Sequence, residues 1–178
     1  MDILLQKIQD GDEKGFKEFY DLQFFKLYQF AYSFVHSREI SEEIVNDVFL
    51  NLWLKKDRLS TINNIQVYLY ISIKNGCLNY LRKNNLSLPV SIDDLSVDHF
   101  PMVPDPEFLL SQRELQQQIR EAIEQLPSRC RLIFKMVKED GLSYKEVAAI
   151  LEISIKTVDS QLCLALKKLA AILQPINI

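Results

Sequence analysis

The chain has 178 residues, of which 48% are apolar and 25% are charged, and its formal net charge is −3. These values predict a soluble globular protein with one sizeable hydrophobic core or two small ones. No apolar run approaches the roughly 18 residues of a membrane span, and residues 1–30 do not resemble a secretory signal, so we expect a cytoplasmic protein without membrane insertion.

Strongly apolar residues recur at helical spacing along most of the chain, and there are only four glycines. This pattern predicts an all-α fold. The three cysteines, Cys77, Cys130 and Cys163, are far apart and form no CxxC pair. We therefore expect them to be reduced and partly buried, and we predict no disulfide framework, metal site or cofactor.

Residues 41–55, SEEIVNDVFLNLWLK, form a predicted helix with one apolar and one acidic face. The apolar face carries Ile44, Val45, Val48, Phe49, Leu52 and Trp53. The other face carries Glu42, Glu43, Asn46, Asp47 and Asn51. An acidic helix face is usually only solvated; the sharper interpretation is a docking surface for a basic partner helix.

Residues 65–83, IQVYLYISIKNGCLNYLRK, form a second predicted helix, in which amides and cations alternate with tyrosines. The polar members are Lys74, Asn75, Asn79, Arg82 and Lys83, and the tyrosines are Tyr68, Tyr70 and Tyr80. Aromatic rings can stack on unpaired bases while cations hold phosphates, which favours single-stranded nucleic acid as a ligand. The alternative is that the tyrosines belong to the core beside solvated lysines.

Residues 84–108 form a predicted linker, because they contain four of the six prolines and five acidic residues but no lysine or arginine. The linker divides the chain into an N-terminal domain at 1–83 and a C-terminal domain at 109–178. Residues 1–83 have no net charge, and residues 109–178 have a net charge of +2. The acidity of the chain is therefore concentrated in the connector.

The C-terminal domain contains a predicted helix-turn-helix. A helix starts at Leu126-Pro127-Ser128 and ends near Lys138, before Asp140-Gly141. Ser143 and Glu146 then have the spacing of a capping box, at the start of a helix that reaches Leu151. A bend at residues 152–154 leads into the last helix.

The last helix is predicted to separate an apolar face from a polar one. Its apolar face carries Ile155, Val158, Leu162, Ala165, Leu166, Leu169 and Ile172. The opposite face carries Lys156, Thr157, Ser160, Gln161, Leu164, Lys167 and Lys168. A helical hairpin with a solvated polar face would show the same periodicity, but the order of short capped helix, tight turn and long helix favours DNA reading in a major groove.

Taken together, these stretches resemble the small two-domain sigma factors of bacterial RNA polymerase, the extracytoplasmic-function (ECF) group. The segment SEEIVNDVFLNLW is similar to the family's region two clamp-binding helix, and YLYISIKNGCLNYLRK is similar to its promoter-melting helix. Residues 126–169 are similar to region four. The resemblance implies two small helical domains, sigma region 2 and sigma region 4, joined by the acidic, proline-containing linker.

The resemblance also implies roles for individual residues. Those facing the core polymerase would be Glu43, Asn46 and Asp47. The loop of residues 57–65 would hold an extruded base, and the downstream, minus-ten element would be contacted by Asn63, Asn64, Lys74, Asn75, Asn79, Arg82 and Lys83. The upstream, minus-thirty-five element would be read by Lys156, Thr157, Ser160, Gln161 and Lys167.

Two positions depart from the family pattern. Glu152 stands where the family usually has glycine in the turn, so we expect a turn conformation that needs no positive φ. Leu164 stands where arginine is common, and a leucine there would read a thymine methyl group or belong to a partner interface.

The predicted function is therefore promoter-specific transcription initiation by a sigma factor that is not an enzyme and has no catalytic residues. Its expected partners are core RNA polymerase, promoter DNA and an anti-sigma factor. The alternative is a stand-alone helix-turn-helix regulator whose N-terminal half is a sensing or dimerising helical module. An enzyme has little support, because the two histidines lack metal-ligand spacing and there is no glycine-rich phosphate loop.

Overall fold

The computed structural model describes the backbone of residues 2–86 and 110–173 and the side chains of residues 3–86 and 117–173. In these ranges the chain consists of helices and turns, which confirms the all-α prediction. The chain forms two compact units, and the boundary between them falls between residues 90 and 91. Apart from residues 84–86, the predicted linker of residues 84–108 lies outside the described ranges.

Within residues 2–86, the first unit contains four α-helices and one 3₁₀ segment. They are α1 at Asp2–Gln9, α2 at Glu13–Val35, α3 at Arg38–Leu54, the 3₁₀ segment at Lys56–Thr61 and α4 at Ile65–Lys83. Helix α2 packs against α1, α3 and α4. The core between them includes Phe19, Leu27, Phe30, Val45, Phe49, Leu69 and Ile73, each almost fully buried.

Side-chain caps determine where α3 and α4 begin. The Ser37 hydroxyl accepts a hydrogen bond from the Ile40 amide at 3.4 Å, so α3 begins at Arg38, three residues before the predicted start. Ser41 lies inside the helix, where its hydroxyl donates to the Ser37 carbonyl at 2.6 Å. Asn64 caps α4 by accepting from the Val67 amide at 3.1 Å, and α4 has the predicted bounds.

Within residues 110–173, the second unit contains four α-helices and a π-helical turn. They are α5 at Leu110–Glu124, α6 at Ser128–Phe134, the π-helical turn at Lys135–Glu139, α7 at Tyr144–Leu151 and α8 at Ile155–Leu173. Helix α8 packs against α5, α6 and α7. One core cluster of this unit consists of Ala122, Ile123, Leu126, Cys130, Ala165 and Leu169.

The predicted capping box at the start of α7 is present. The Ser143 hydroxyl accepts from the Glu146 amide at 3.3 Å, and the Glu146 carboxylate accepts from the Ser143 amide at 2.7 Å. Two amide groups that the helix itself leaves without partners are thereby satisfied.

The turn between α7 and α8 has a different conformation from the one predicted. Glu152 adopts the left-handed region, with φ 56° and ψ 43°, and its amide donates to the Ala148 carbonyl. The expectation of a turn without positive φ was therefore wrong. A residue with a Cβ can end the helix in this geometry, at a steric cost that glycine does not have.

The buried face of α8 is narrower than predicted. Val158, Leu162, Ala165 and Leu169 are buried, whereas Ile155 and Leu166 are 46% and 44% exposed. Since successive residues are about 100° apart around a helix, Ile155 and Leu166 lie at the edge of the buried stripe and not at its centre. The prediction was wrong for these two residues.

Replacement of Glu152 by glycine is expected to stabilise the second unit by about 0.5–1 kcal/mol, because glycine tolerates the left-handed backbone without steric cost. Thermal unfolding followed by circular dichroism measures the effect. The matched control is E152A, which retains a Cβ and should not raise the melting temperature. Equal stabilisation by both variants would show that the backbone conformation is not the cause.

Candidate functional site

A groove of about 530 Å³ lies between α3 and α4 of the first unit. Glu43 and Asp47 line it from α3, and Asn75, Asn79 and Lys83 line it from α4. Helix α3 carries four carboxylates and one arginine, whereas the exposed cations of α4 are Arg82 and Lys83 and the helix carries no carboxylate. The groove therefore brings an acidic helix face beside a face of amides and cations, and it joins two of the residue sets that the sequence assigned to different partners.

The floor of this groove depends on the absence of a side chain at Gly76. A Cβ at this position would lie 2.8 Å from Cγ2 of Ile44, which is a stiff, β-branched and buried side chain on α3. Glycine therefore lets α4 approach α3 more closely than another residue would.

The three residues predicted to face core polymerase are all exposed on α3. Glu43 and Asp47 are one turn apart and point toward the groove. The side chain of Asn46 is held from α2, since its Oδ1 accepts a hydrogen bond from the Tyr20 hydroxyl at 2.7 Å. The structure thus places the three side chains on one accessible face of a single helix.

Two exposed apolar residues, Leu50 and Leu54, continue the Asp47 face of α3. Leu50 follows Asp47 by three residues and Leu54 follows Leu50 by four, and these spacings place helical residues on one side. No role was predicted for these leucines from the sequence. The sequence alone could have predicted the exposure of these leucines, because neither belongs to the apolar face that contains Ile44, Phe49 and Leu52.

Most of the residues predicted to contact the downstream element are exposed. Four of them lie along α4, and one lies in the turn before it: Asn75, Asn79, Arg82, Lys83 and Asn63. Asn64 is also exposed, but its Oδ1 is occupied as the cap of α4. The predicted loop of residues 57–65 is mostly the 3₁₀ segment, which is anchored by the buried Leu59.

Lys74 does not share the exposed face of α4. It is only 6% exposed, because it follows Tyr70 by four residues and precedes Cys77 by three, and both of these are in the core. The predicted polar face is therefore wrong for Lys74 and Tyr70, and the core interpretation holds for this tyrosine. Tyr68 and Tyr80 retain partial exposure and line the groove.

The residues predicted to read the upstream element divide into two groups on α8. Lys156, Ser160 and Lys167 are exposed. Thr157 and Gln161 are half-buried and engaged within the unit. The Thr157 hydroxyl lies 2.8 Å from that of Ser154, which caps α8, and Gln161 Oε1 accepts from the Cys130 thiol at 3.0 Å.

Cys163 and Leu164 are also exposed on α8, between Ser160 and Lys167. Leu164 was expected on this face from the sequence, whereas no role was predicted for Cys163. The exposed face of α8 therefore combines three cations, Lys156, Lys167 and Lys168, with a hydroxyl, a thiol and a leucine.

Among the side chains described in residues 3–86 and 117–173, no three histidine, cysteine or acidic residues are grouped as ligands for a metal ion. No helix in residues 2–86 and 110–173 has the length and hydropathy to cross a membrane.

Comparison with known families assigns both units. The family description "Sigma-70 region 2" matches residues 26–86, and "Sigma-70, region 4" matches residues 116–169. The chain is also 26% identical to the ECF RNA polymerase sigma-E factor of Escherichia coli strain K12 over 181 residues, which is 98% of this chain and 94% of that protein. The chain belongs to the sigma-70 family, as an ECF sigma factor. Proteins of this family are not enzymes.

A second relative of this ECF sigma factor is also a sigma factor. The RNA polymerase sigma-H factor of Pseudomonas aeruginosa is 22% identical over 180 residues, covering 97% of this chain and 93% of that protein. The region 2 match leaves no separate sensing or dimerising module in residues 26–86, which the stand-alone regulator would require.

Two solved structures share the fold. The sigma factor RpoE of Bartonella quintana, solved with the anti-sigma factor NepR, gives a TM-score of 0.57 at 22% identity, over 92% of this chain and 99% of that chain. CnrH, solved with the cytosolic domain of CnrY, gives a TM-score of 0.52 at 20% identity, over 98% of this chain and 97% of that chain.

The variant G76A is expected to lower the free energy of unfolding by about 1 kcal/mol, because overpacking against Ile44 exceeds the gain in helix propensity. Chemical denaturation of the wild type and the variant measures the change. In an I44L background, which removes Cγ2, the same alanine should be neutral or stabilising. A loss of the same size in both backgrounds would refute the proposed contact.

Thiol labelling of the folded protein at pH 8 is expected to modify Cys163 rapidly and to leave the buried Cys77 and Cys130 unmodified. Burial raises the pKa of the Cys77 thiol to about 12, so its reactive thiolate is scarce at this pH. The absorbance of the chromophore that a thiol reagent releases on reaction gives the number of thiols that have reacted. The variant C163S should lose the fast phase, and a fast phase that survives in it would contradict the assignment.

Proposed function

We propose that this ECF sigma factor docks on core RNA polymerase through the exposed face of α3 and contacts promoter DNA with α4 and α8. The observation that carries the proposal is the groove of the first unit, where Glu43 and Asp47 stand beside Asn75, Asn79 and Lys83. Carboxylates suit a basic polymerase surface, whereas amides and cations suit bases and phosphates. The two ligands would therefore bind to adjacent helices of one unit.

The exposed residues of α8 are proposed to contact the upstream element. Lys156 and Lys167 can reach phosphates, and the Ser160 hydroxyl, which already donates to the Lys156 carbonyl at 2.8 Å, can still accept from a donor on a base edge. Thr157 and Gln161 would contribute mainly by holding the helix, since their side chains are already engaged with Ser154 and Cys130. We retain 1–83, 84–108 and 109–178 as the proposed limits of region 2, linker and region 4.

The low positive charge of the proposed region 4 supports a role that depends on polymerase. Affinity for duplex DNA arises largely from cations that neutralise phosphates. A net charge of +2 on residues 109–178 can supply only a small part of this affinity. Attachment of both domains to one polymerase would raise their effective concentration at the promoter. The protein would act in the cytoplasm, where the polymerase and the promoters are.

An anti-sigma factor is a further proposed partner. Its support is that the two similar structures contain a sigma factor with the anti-sigma factor NepR and CnrH with the cytosolic domain of CnrY. Exposed leucines on α3 and α8, Leu50, Leu54 and Leu164, would be protected by such a partner.

The first experiment is gel filtration of the protein with bacterial core polymerase, followed by a promoter-opening assay with permanganate. Co-elution and opening that neither component produces alone would support the proposal. Specific binding to duplex DNA at physiological salt without polymerase, and no binding to core, would instead indicate a self-sufficient regulator.

The double variant E43K/D47K is expected to weaken core binding by roughly tenfold or more, because it places two cations where carboxylates face a basic surface. Fluorescence anisotropy with a labelled protein and titrated core measures the affinity. The matched control, E18K/E139K, reverses two exposed carboxylates outside α3 and changes the net charge equally. If both doubles bind core as the wild type does, the α3 face is not the docking surface.

A further inference from the structure

A hydrogen bond from Tyr20 to Asn46 joins α2 to the exposed surface of α3. These residues are 26 positions apart in sequence and belong to α2 and α3, and the Tyr20 hydroxyl lies 2.7 Å from Asn46 Oδ1. We propose that Tyr20 is a positioning residue for polymerase binding, which orients Asn46 so that its amide N–H groups are presented to the partner. This inference rests on the proposed function of α3.

The ring of Tyr20 is itself fixed on both sides. It stacks on Phe24 of the same helix, with ring centroids 5.0 Å apart and planes at 29°. It also packs against Phe49 of α3, with centroids 4.8 Å apart. Phe49 is almost fully buried. The Tyr20 hydroxyl is therefore held in place by a ring in the core and not by a mobile surface side chain.

The hydroxyl of Tyr20 remains a donor at physiological pH. Partial burial raises its pKa above the ordinary tyrosine value, and the nearby charges of Glu42 and Asp21 raise it further. In the structure this hydroxyl donates to the carbonyl oxygen of Asn46 at 2.7 Å, so the amide nitrogen of Asn46 points away from Tyr20. The amide nitrogen is left for an external acceptor.

This orientation defines the chemistry of the partner surface. Glu43 and Asp47 both lie on the groove side of Asn46 on the exposed face of α3, and both carboxylates require cations or donors. Asn46, on the side toward α2, requires an acceptor, such as a backbone carbonyl or a carboxylate. The matching partner surface thus has basic side chains on one side of an acceptor. A side chain that is oriented before binding also loses less conformational freedom when the partner arrives.

The test is a double-mutant cycle on core polymerase affinity with Y20F and N46A. Y20F removes the hydroxyl and keeps the ring, so the fold should be retained, while core affinity should fall roughly fivefold. In the N46A background the same change should have almost no effect, because Tyr20 then has nothing to orient. Equal losses in both backgrounds, or no loss in the wild type, would overturn the proposal.

A second variant tests the direction of the amide. N46D keeps an acceptor for Tyr20 but replaces the amide donor by a carboxylate oxygen, so it should bind core at least as weakly as N46A. Wild-type affinity of N46D would show that the partner does not need a donor here. The matched control Y144F, which removes a hydroxyl from α7 in the second unit, should leave core affinity unchanged.

Failure of this inference can be separated from failure of the docking surface. If E43K/D47K weakens core binding and the cycle shows no coupling, α3 is the docking surface and Tyr20 does not act through Asn46. If E43K/D47K has no effect either, the docking assignment itself fails.

Discussion

The packing of α2 against three other helices is the constraint on which the first unit depends. Rings on α2 contact rings on both neighbours that form the groove: Phe19 lies 6.1 Å from Phe49 of α3, and Phe30 lies 4.8 Å from Tyr70 of α4. The Cys77 thiol of α4 also donates to the Ala31 carbonyl of α2, at 3.7 Å. The close approach of α3 and α4 at Gly76 is possible because both helices are held by this common support.

Local signals in the sequence were sufficient for much of the fold. The capping box at Ser143 and the bounds of α4 follow from interactions within a few residues, so the sequence contains all that determines them. The exposed acidic face of α3 was also predictable, because its periodicity is regular. Which of its residues bind polymerase, and which residues of α4 and α8 contact DNA, remain predictions.

The predictions that failed concerned residues whose state depends on tertiary structure. Lys74 was assigned to a polar face by residue type, yet its position along α4 places its long apolar stem in the core. The left-handed conformation of Glu152 was not predicted, because the prediction relied on the backbone conformations that glutamate usually adopts. The path of the chain from α7 into α8 determines the conformation instead. The contact between Tyr20 and Asn46 spans two helices, and no local pattern indicates it.

The π-helical turn at Lys135–Glu139 links the length of the chain to the direction of α7. Its wider hydrogen bond, from the Asp140 amide to the Lys135 carbonyl five residues earlier, accommodates one residue more than an α-helical turn would. Loss of one residue here would restore α-helical spacing without rotating the residues that follow, whereas loss of one residue within regular α-helix, as in α6, would rotate them by about 100° around the helix axis. The segment is therefore a place where the length of the chain can change by one residue with little effect on the direction of α7.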